Sequence, residues 1–493
     1  MNMEKTTLNY LWIKGERVST SESIDVINPA TGEVIDQVPN GGEKETKLAI
    51  NAAYEAFKPW KKLTPEKRES YLVKWADNLL ENRDELAAIL TEEQGKPLSE
   101  SRGEIEGCAT FIRWYAEEGK RVYGEVITGS KENQRISVIK QPVGVCGLIT
   151  PWNFPGAMVA RKTAPALAAG CTVVVKPASE TPRIAIAIFE QLMKTGIPAG
   201  VANLVTGKAS VIGETLFEDR RVKKISFTGS TEIGKQLMKR AADQVKRISL
   251  ELGGNAPAIV FPDANLDLAA KAIVDNKFEN CGQMCNGINV IYAHEEIKEK
   301  LTEKIVNLVK ELKVGSGSVP GSDPGTDPIQ IGPLVNEAAL KNVEQLLQDA
   351  EEKGATVETG GERTSDSTGY FFQPTVLSDV TLDMKLTQDE IFGPVAPILS
   401  FQREQEVVEF TEKSPYGLAA YFFTRDVNRV YRMAEELDSG MIGVNGTSLS
   451  VPQAPFGGIK ESGIGREGGF YGLEEFLELK YISLTLENEE GGY

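Results

Sequence analysis

Between residues 143 and 250, five short apolar runs (143–149, 171–175, 201–205, 224–227 and 247–250) alternate with amphipathic stretches at 156–169, 182–195, 209–218 and 231–243. Helix-length connections between short buried strands imply parallel neighbours joined by right-handed crossovers, with helices on both faces of one open sheet. A second series follows, with helices expected near 266–280, 295–311, 336–353, 404–413 and 426–437 and strands near 288–293, 395–401, 418–424 and 441–444. The expected fold class is therefore α/β, with two open sheets. Upstream, 44–120 reads as helices with apolar residues about 3.6 apart, as in Leu72, Trp75, Leu79 and Leu80. The polar-alternating run 134–141 and a tail strand from 481 have the character of edges that need a partner. The stretch 314–333, dense in Gly, Pro, Ser and Asp, reads as a surface loop without chemistry.

Charge and rare residues narrow the function. A formal charge of −17 over 493 residues argues against nucleic acid as a partner, because phosphates need a basic surface. Any anionic ligand must be held by local groups acting against that global field. The opening Met1-Asn-Met-Glu-Lys-Thr-Thr lacks the apolar stretch of a signal peptide, and no run of about 18 apolar residues could span a membrane. Five cysteines (Cys108, Cys146, Cys171, Cys281 and Cys285) in so long a chain do not make a disulfide framework, and a cytoplasmic location is expected. The one histidine, His294, is expected at the surface, which argues against Ser-His-Asp or Cys-His catalysis and against a metal site of several imidazoles. No metal is expected.

Two segments carry the strongest chemical signal. Glu251-Leu-Gly-Gly puts a carboxylate at the end of an apolar strand, and Phe278-Glu-Asn-Cys-Gly-Gln-Met-Cys285 puts a cysteine on a glycine-containing turn. A thiol can attack a carbonyl, and a nearby carboxylate can activate water to release the thioester. Three further segments fall just beyond apolar strands, where ligands bind in an open parallel sheet. Thr150-Pro-Trp152-Asn153 brings a side-chain amide, Lys176-Pro-Ala-Ser179 a lysine, and Gly229-Ser230-Thr-Glu-Ile-Gly234-Lys235-Gln236 a strand-to-helix turn suited to phosphate. The last comes within one residue of a P-loop but has Gln236 where the magnesium-binding hydroxyl belongs. On residues alone, a P-loop NTPase and a merely structural turn both stay open there.

Taken in order, Thr150-Pro-Trp-Asn-Phe-Pro, Val175-Lys-Pro-Ala-Ser, Phe227-Thr-Gly-Ser, Glu251-Leu-Gly-Gly, Gly282-Gln-Met-Cys, Glu390-Ile-Phe-Gly-Pro and Pro455-Phe-Gly-Gly resemble the NAD(P)-dependent aldehyde dehydrogenases over nearly the whole chain. The resemblance implies a Rossmann-like dinucleotide-binding domain (1–125 and 145–252), a catalytic domain (253–455) and a small β oligomerisation element (126–144 and 470–493) that builds a homodimer or homotetramer. It implies Cys285 as nucleophile, Asn153 as oxyanion donor and Glu251 as general base, with a site that lowers the thiol pKa. It implies cofactor contacts from Ile149, Thr150, Trp152, Lys176, Ser179, Gly229, Ser230, Gly234, Leu252, Glu390 and Phe392. Ser179 stands where a carboxylate would repel the 2′-phosphate, so NADP is favoured and NAD is possible.

Met158-Val-Ala-Arg161-Lys and Gly457-Gly-Ile-Lys-Glu-Ser-Gly-Ile-Gly-Arg-Glu-Gly468 are most similar to succinate-semialdehyde dehydrogenases, which implies Arg161 and Ser450 as contacts for a substrate carboxylate. The third position of that set, six residues before the nucleophile, is Glu279, where those enzymes carry an arginine. A neutral or short aliphatic aldehyde, lactaldehyde-like, is the alternative substrate, and an inactive binding protein on this fold is the alternative class. Cys281 is either a small loop residue or the partner of Cys285 in a reversible disulfide.

Overall fold

The computed structural model describes residues 8–317, 329–364 and 368–487, so the centre of the 314–333 loop and the end of the tail lie outside the described residues. The first alternating series forms an eight-stranded sheet. Its strands run in the order Glu16–Val18, Leu11–Ile13, Ala202–Leu204, Thr172–Lys176, Val145–Ile149, Val222–Thr228, Arg247–Glu251 and Gly463–Ile464. The five central strands are parallel, as the alternation requires, and antiparallel pieces from both chain ends close the edges. Chain order reverses direction between Val145–Ile149 and Val222–Thr228, the switch point at which such sheets open a ligand crevice.

The second series forms a seven-stranded sheet in the order Thr356–Thr359, Thr375–Ser378, Val395–Phe401, Ile288–His294, Ala256–Val260, Ala419–Phe423 and Met441–Val444. Only the first of these is antiparallel. Three of the seven were not expected from the sequence: Ala256–Val260, Thr356–Thr359 and Thr375–Ser378. Each sheet is covered by helices, and the buried side chains form one large cluster around each.

The helices between 43 and 118 pack as their spacing predicts. Leu72, Trp75 and Leu79 of helix Pro65–Glu81 are fully buried, and the Trp75 indole donates to the Ile188 carbonyl at 3.1 Å. Leu80 departs from the pattern and is exposed, its place on the buried face being taken by Ala76. The tail strand Leu477–Thr485 pairs antiparallel with Gln134–Pro142 along its full length, and Glu125–Thr128 completes a three-stranded sheet. That sheet leaves Val126, Leu479, Tyr481 and Leu484 exposed. Among the described residues no helix is long and apolar enough to cross a membrane.

Candidate active site

A cavity of about 760 Å³ opens where the loops after Val145–Ile149 and Val222–Thr228 meet the turn that carries Cys285. That turn is strained. Helix Leu266–Phe278 stops two residues short of the expected end, and Asn280, Cys281 and Gly282 follow with φ of 49°, 57° and 73°. Left-handed backbone costs about 1–2 kcal/mol at a non-glycine residue, so the surroundings must over-determine it. They do. Gln94 donates to the Asn280 side-chain oxygen at 2.9 Å, and Asn280 Nδ2 donates to the Asn153 carbonyl at 2.9 Å. The Asn280 N–H donates to Glu100 at 3.0 Å, and the Val335 N–H donates to Gln283 Oε1 at 2.9 Å. At Gly282 a Cβ would lie 2.2 Å from the Gly393 carbonyl oxygen, so only glycine fits.

The Asn153 loop is fixed from below by a buried ion pair. Lys96 Nζ meets Glu104 at 2.5 Å, donates to the Asn153 carbonyl at 2.9 Å and stands 3.7 Å from the Phe154 ring centroid. Glu104 in turn accepts from the N–H groups of Gly156 and Ala157, at 2.8 and 3.0 Å, at the positive end of helix Pro155–Ala169. Asn153 Nδ2 donates to the Gln283 carbonyl at 3.0 Å, which leaves one amide hydrogen available to a ligand.

The Cys285 thiol is pushed up to about 12, first by burial and then by the Glu390 and Glu251 carboxylates, with Arg161 pulling the other way. This corrects the expectation of a lowered value: in the free protein the thiol holds its proton. Glu251 lies behind the cavity wall at the end of Arg247–Glu251, buried, with one carboxylate oxygen lacking a hydrogen-bond partner. Burial and the neighbouring Glu467 raise its carboxyl well above the usual range, while Lys162, Arg161 and Arg466 act in the opposite sense. Glu467 and Lys162, which form a buried 2.6 Å pair beside the base, were missed in the sequence, as were Lys96 and Glu104. Lys162 and Glu467 lie 305 residues apart and meet only in the folded chain, whereas Lys96 and Glu104 are eight residues apart and join across the start of helix Leu98–Glu118.

Of the sequence-derived positions, Trp152, Asn153, Arg161, Gly229, Ser230, Leu252, Cys285, Glu390, Phe392 and Ser450 all line the cavity. Trp152 and Phe392 meet edge to face at 5.5 Å, and Arg161 donates to Ser450 Oγ at 2.5 Å. Ile149, Thr150, Lys176, Ser179 and Gly234 do not line it. Gly234 serves packing: a Cβ there would lie 2.4 Å from Leu252. Ile149 and Lys176 pair at the strand ends, and the Thr150 N–H donates to the Lys176 carbonyl at 3.1 Å.

Lys176 is buried, makes no side-chain hydrogen bond or ion pair among the described residues, and is pushed down to about 8 by burial, with Glu180 partly offsetting. The buried hydroxyls of Thr150 and Thr228 also lack partners. A lysine and two hydroxyls left unsatisfied at the switch point fit an anionic, hydroxyl-rich ligand such as a dinucleotide. Ser230 Oγ accepts from the Ile233 N–H and caps helix Thr231–Ala242, whereas Lys235 is exposed and pairs with Glu461 at 2.6 Å, away from any phosphate site. The P-loop alternative therefore fails.

His294 is also remote from the cavity, with its ring against Phe401 and Nε2 3.1 Å from the Gln402 carbonyl. Cys281 is fully buried, and that burial raises its thiol further above its ordinary value. All five cysteines are free thiols.

The family model for the aldehyde dehydrogenase family matches residues 12–482. The chain is 47% identical over 483 residues to the succinate-semialdehyde dehydrogenase [NADP(+)] of Escherichia coli (strain K12), covering 98% of both chains. It is 46% identical, at the same coverage, to a glutarate-semialdehyde dehydrogenase of Pseudomonas putida. Among solved structures, an NADP-dependent enzyme of E. coli superposes with a TM-score of 0.95 at 46% identity, over 99% of this chain and 100% of that one. Matched by that family model over residues 12–482, and 46–47% identical to such relatives over 98% of its length, this chain belongs to the aldehyde dehydrogenase family.

Proposed function

We propose that the enzyme oxidises a semialdehyde to the corresponding acid with NADP as preferred cofactor, NAD being accepted. The observation that carries this reading is that Cys285, the Asn153 amide and the Arg161–Ser450 pair face one cavity. The Cys285 sulfur attacks the aldehyde carbon as the thiol gives its proton to solvent water. The new oxyanion accepts from the Asn153 amide and the Cys285 N–H, a kind of contact worth about 2.7–4 kcal/mol of barrier per donor. The bound nucleotide supplies the hydride acceptor at this stage. What remains on Cys285 is a thioester. Glu251 then takes a proton from water as the water attacks, and the thiolate leaves. Arg161 and Ser450 receive the distal carboxylate.

The eight-stranded sheet is the natural nucleotide platform and the seven-stranded sheet carries the nucleophile. The exposed apolar rows of the three-stranded sheet suit a homodimer or homotetramer, and five free thiols suit a reducing cytoplasm.

The test is the rise of reduced-nucleotide absorbance with NAD and with NADP against succinate semialdehyde, glutarate semialdehyde and a short neutral aldehyde. Both semialdehydes should exceed the neutral compound in kcat/KM, and the reverse order overturns the reading. Ser179→Glu should lower the NADP-to-NAD ratio of kcat/KM by about tenfold or more, since a carboxylate repels the 2′-phosphate and accepts ribose hydroxyls. An unchanged ratio would remove Ser179 from cofactor selection.

A further inference from the structure

The Arg161–Ser450 corner answers only one end of a semialdehyde, and another wall of the same cavity carries the opposite charge. Helix Leu98–Glu118 turns Glu100, Gly103, Glu104, Gly107 and Phe111 toward the cavity, a spacing that places them on one face. Over Gly103 and Gly107 a Cβ would meet no atom within 4 Å, so this face borders open space. At its far end Phe111 stacks on Arg161 at 4.4 Å. At its near end stands Glu100, joined by Glu279 and Asp275.

These carboxylates differ in how they are balanced. Glu104 is neutralised by Lys96, and Asp275 by Lys271 at 2.8 Å. Glu279 is accessible to the cavity and makes no hydrogen bond or ion pair among the described residues. Glu100 makes a single hydrogen bond, from the Asn280 N–H, and no ion pair. Burial raises Glu100, with the Glu279 charge adding to the effect and Lys96 opposing it, which brings it up to about 8. The Glu279 charge disfavours ionisation of Glu100, and a cation placed beside Glu279 relieves that repulsion.

Among the described residues Arg161 is the only basic side chain on the cavity wall. It lies between the Phe111 and Phe456 rings, donates a hydrogen bond to Ser450 and, through its buried Nε, pairs with Glu467 at 3.8 Å. The cavity thus offers a guanidinium and a hydroxyl for an anion and, at Glu279, an accessible carboxylate without an ion pair for a cation. A plain dicarboxylic semialdehyde uses the first and is repelled by the second.

We propose that the preferred substrate is an amino-substituted semialdehyde, its carboxylate held by Arg161 and Ser450 and its ammonium facing Glu279. This rests on the semialdehyde reading of the site and makes Glu279 a specificity-determining residue.

The test compares succinate semialdehyde with aspartate semialdehyde, which differs only by its amino group, in wild type, Glu279→Gln and Glu279→Arg. In the wild type the aminated compound should have the higher kcat/KM. That ratio should fall by about tenfold in Glu279→Gln and further in Glu279→Arg, which restores attraction for the plain anion. If the variants fold poorly, inhibition of the wild type reads the same preference, with aspartate the stronger competitor than succinate. A wild-type preference for succinate semialdehyde, a ratio untouched by both substitutions, or succinate as the stronger competitor each overturns the proposal and leaves the semialdehyde reading standing. Loss of that reading has a separate signature: neutral aldehydes turning over faster than either semialdehyde.

Discussion

Cys285→Ala should lose aldehyde oxidation by a factor on the order of 10⁴ or more while staying folded, because removing the group that forms the covalent intermediate removes the whole reaction route. The stability cost should be small. Cys285 is only partly buried, and the hydrogen bonds that hold its turn come from Asn280 and Gln283, not from the sulfur. A thermal transition close to that of the wild type, together with unchanged nucleotide binding, separates lost chemistry from lost structure. A variant that still reduces the nucleotide at a wild-type rate would refute the thiol mechanism. The pH behaviour carries a second signature. With the thiol pushed up to about 12, the reactive thiolate is a trace species near neutrality and increases about tenfold with each pH unit. Alkylation of the free enzyme by iodoacetamide should therefore be slow at neutral pH and climb steadily with pH, without the plateau expected of a preformed thiolate.

Much of this architecture was legible because it rests on period and alternation. Runs such as 143–149 and 171–175 are too apolar and too short to be anything but buried strands between helices, and they became central strands of the first sheet. The strand Ala256–Val260 was hidden by Pro257, which removes a ladder donor and reads as a break; its pairing with Ile288–His294 shifts register at that residue. The Gly463–Ile464 edge is two residues long and has no periodicity to detect. In the site, Cys285, Asn153 and Glu251 could be found because each follows or ends an element with a turn signal beside it. Lys162 was not found, because in the sequence it is one polar residue on an alanine-rich helix, and its partner Glu467 reaches it only in the folded chain. The direction of the Cys285 shift was also beyond sequence reasoning. It depends on where the Glu390 and Glu251 carboxylates come to lie around the sulfur, and only the fold decides that.

Glu251→Gln should stop the enzyme after its first turnover, giving a burst of reduced nucleotide equal to the enzyme present and then a steady rate lower by about 10²–10⁴. Glutamine keeps the volume and polarity of the protonated acid, so thiol attack and hydride loss proceed, but nothing remains to take a proton from the attacking water. Burial and Glu467 raise the Glu251 carboxyl well above its ordinary range, so its base form becomes available only at higher pH than for an ordinary glutamate. The wild-type rate of thioester hydrolysis should therefore rise with pH, and this rise should vanish in the variant. The same shift has a consequence for stability. Between the ordinary carboxyl pKa of about 4.3 and the raised folded value, the native state keeps a proton that the unfolded chain has lost, so stability falls as pH increases through that window. Glutamine has no proton to lose. The melting temperature of Glu251→Gln relative to the wild type should accordingly increase as pH rises above about 5. A difference that stays flat over that range, or a steady rate without a burst, would show that Glu251 neither holds the raised proton nor limits hydrolysis.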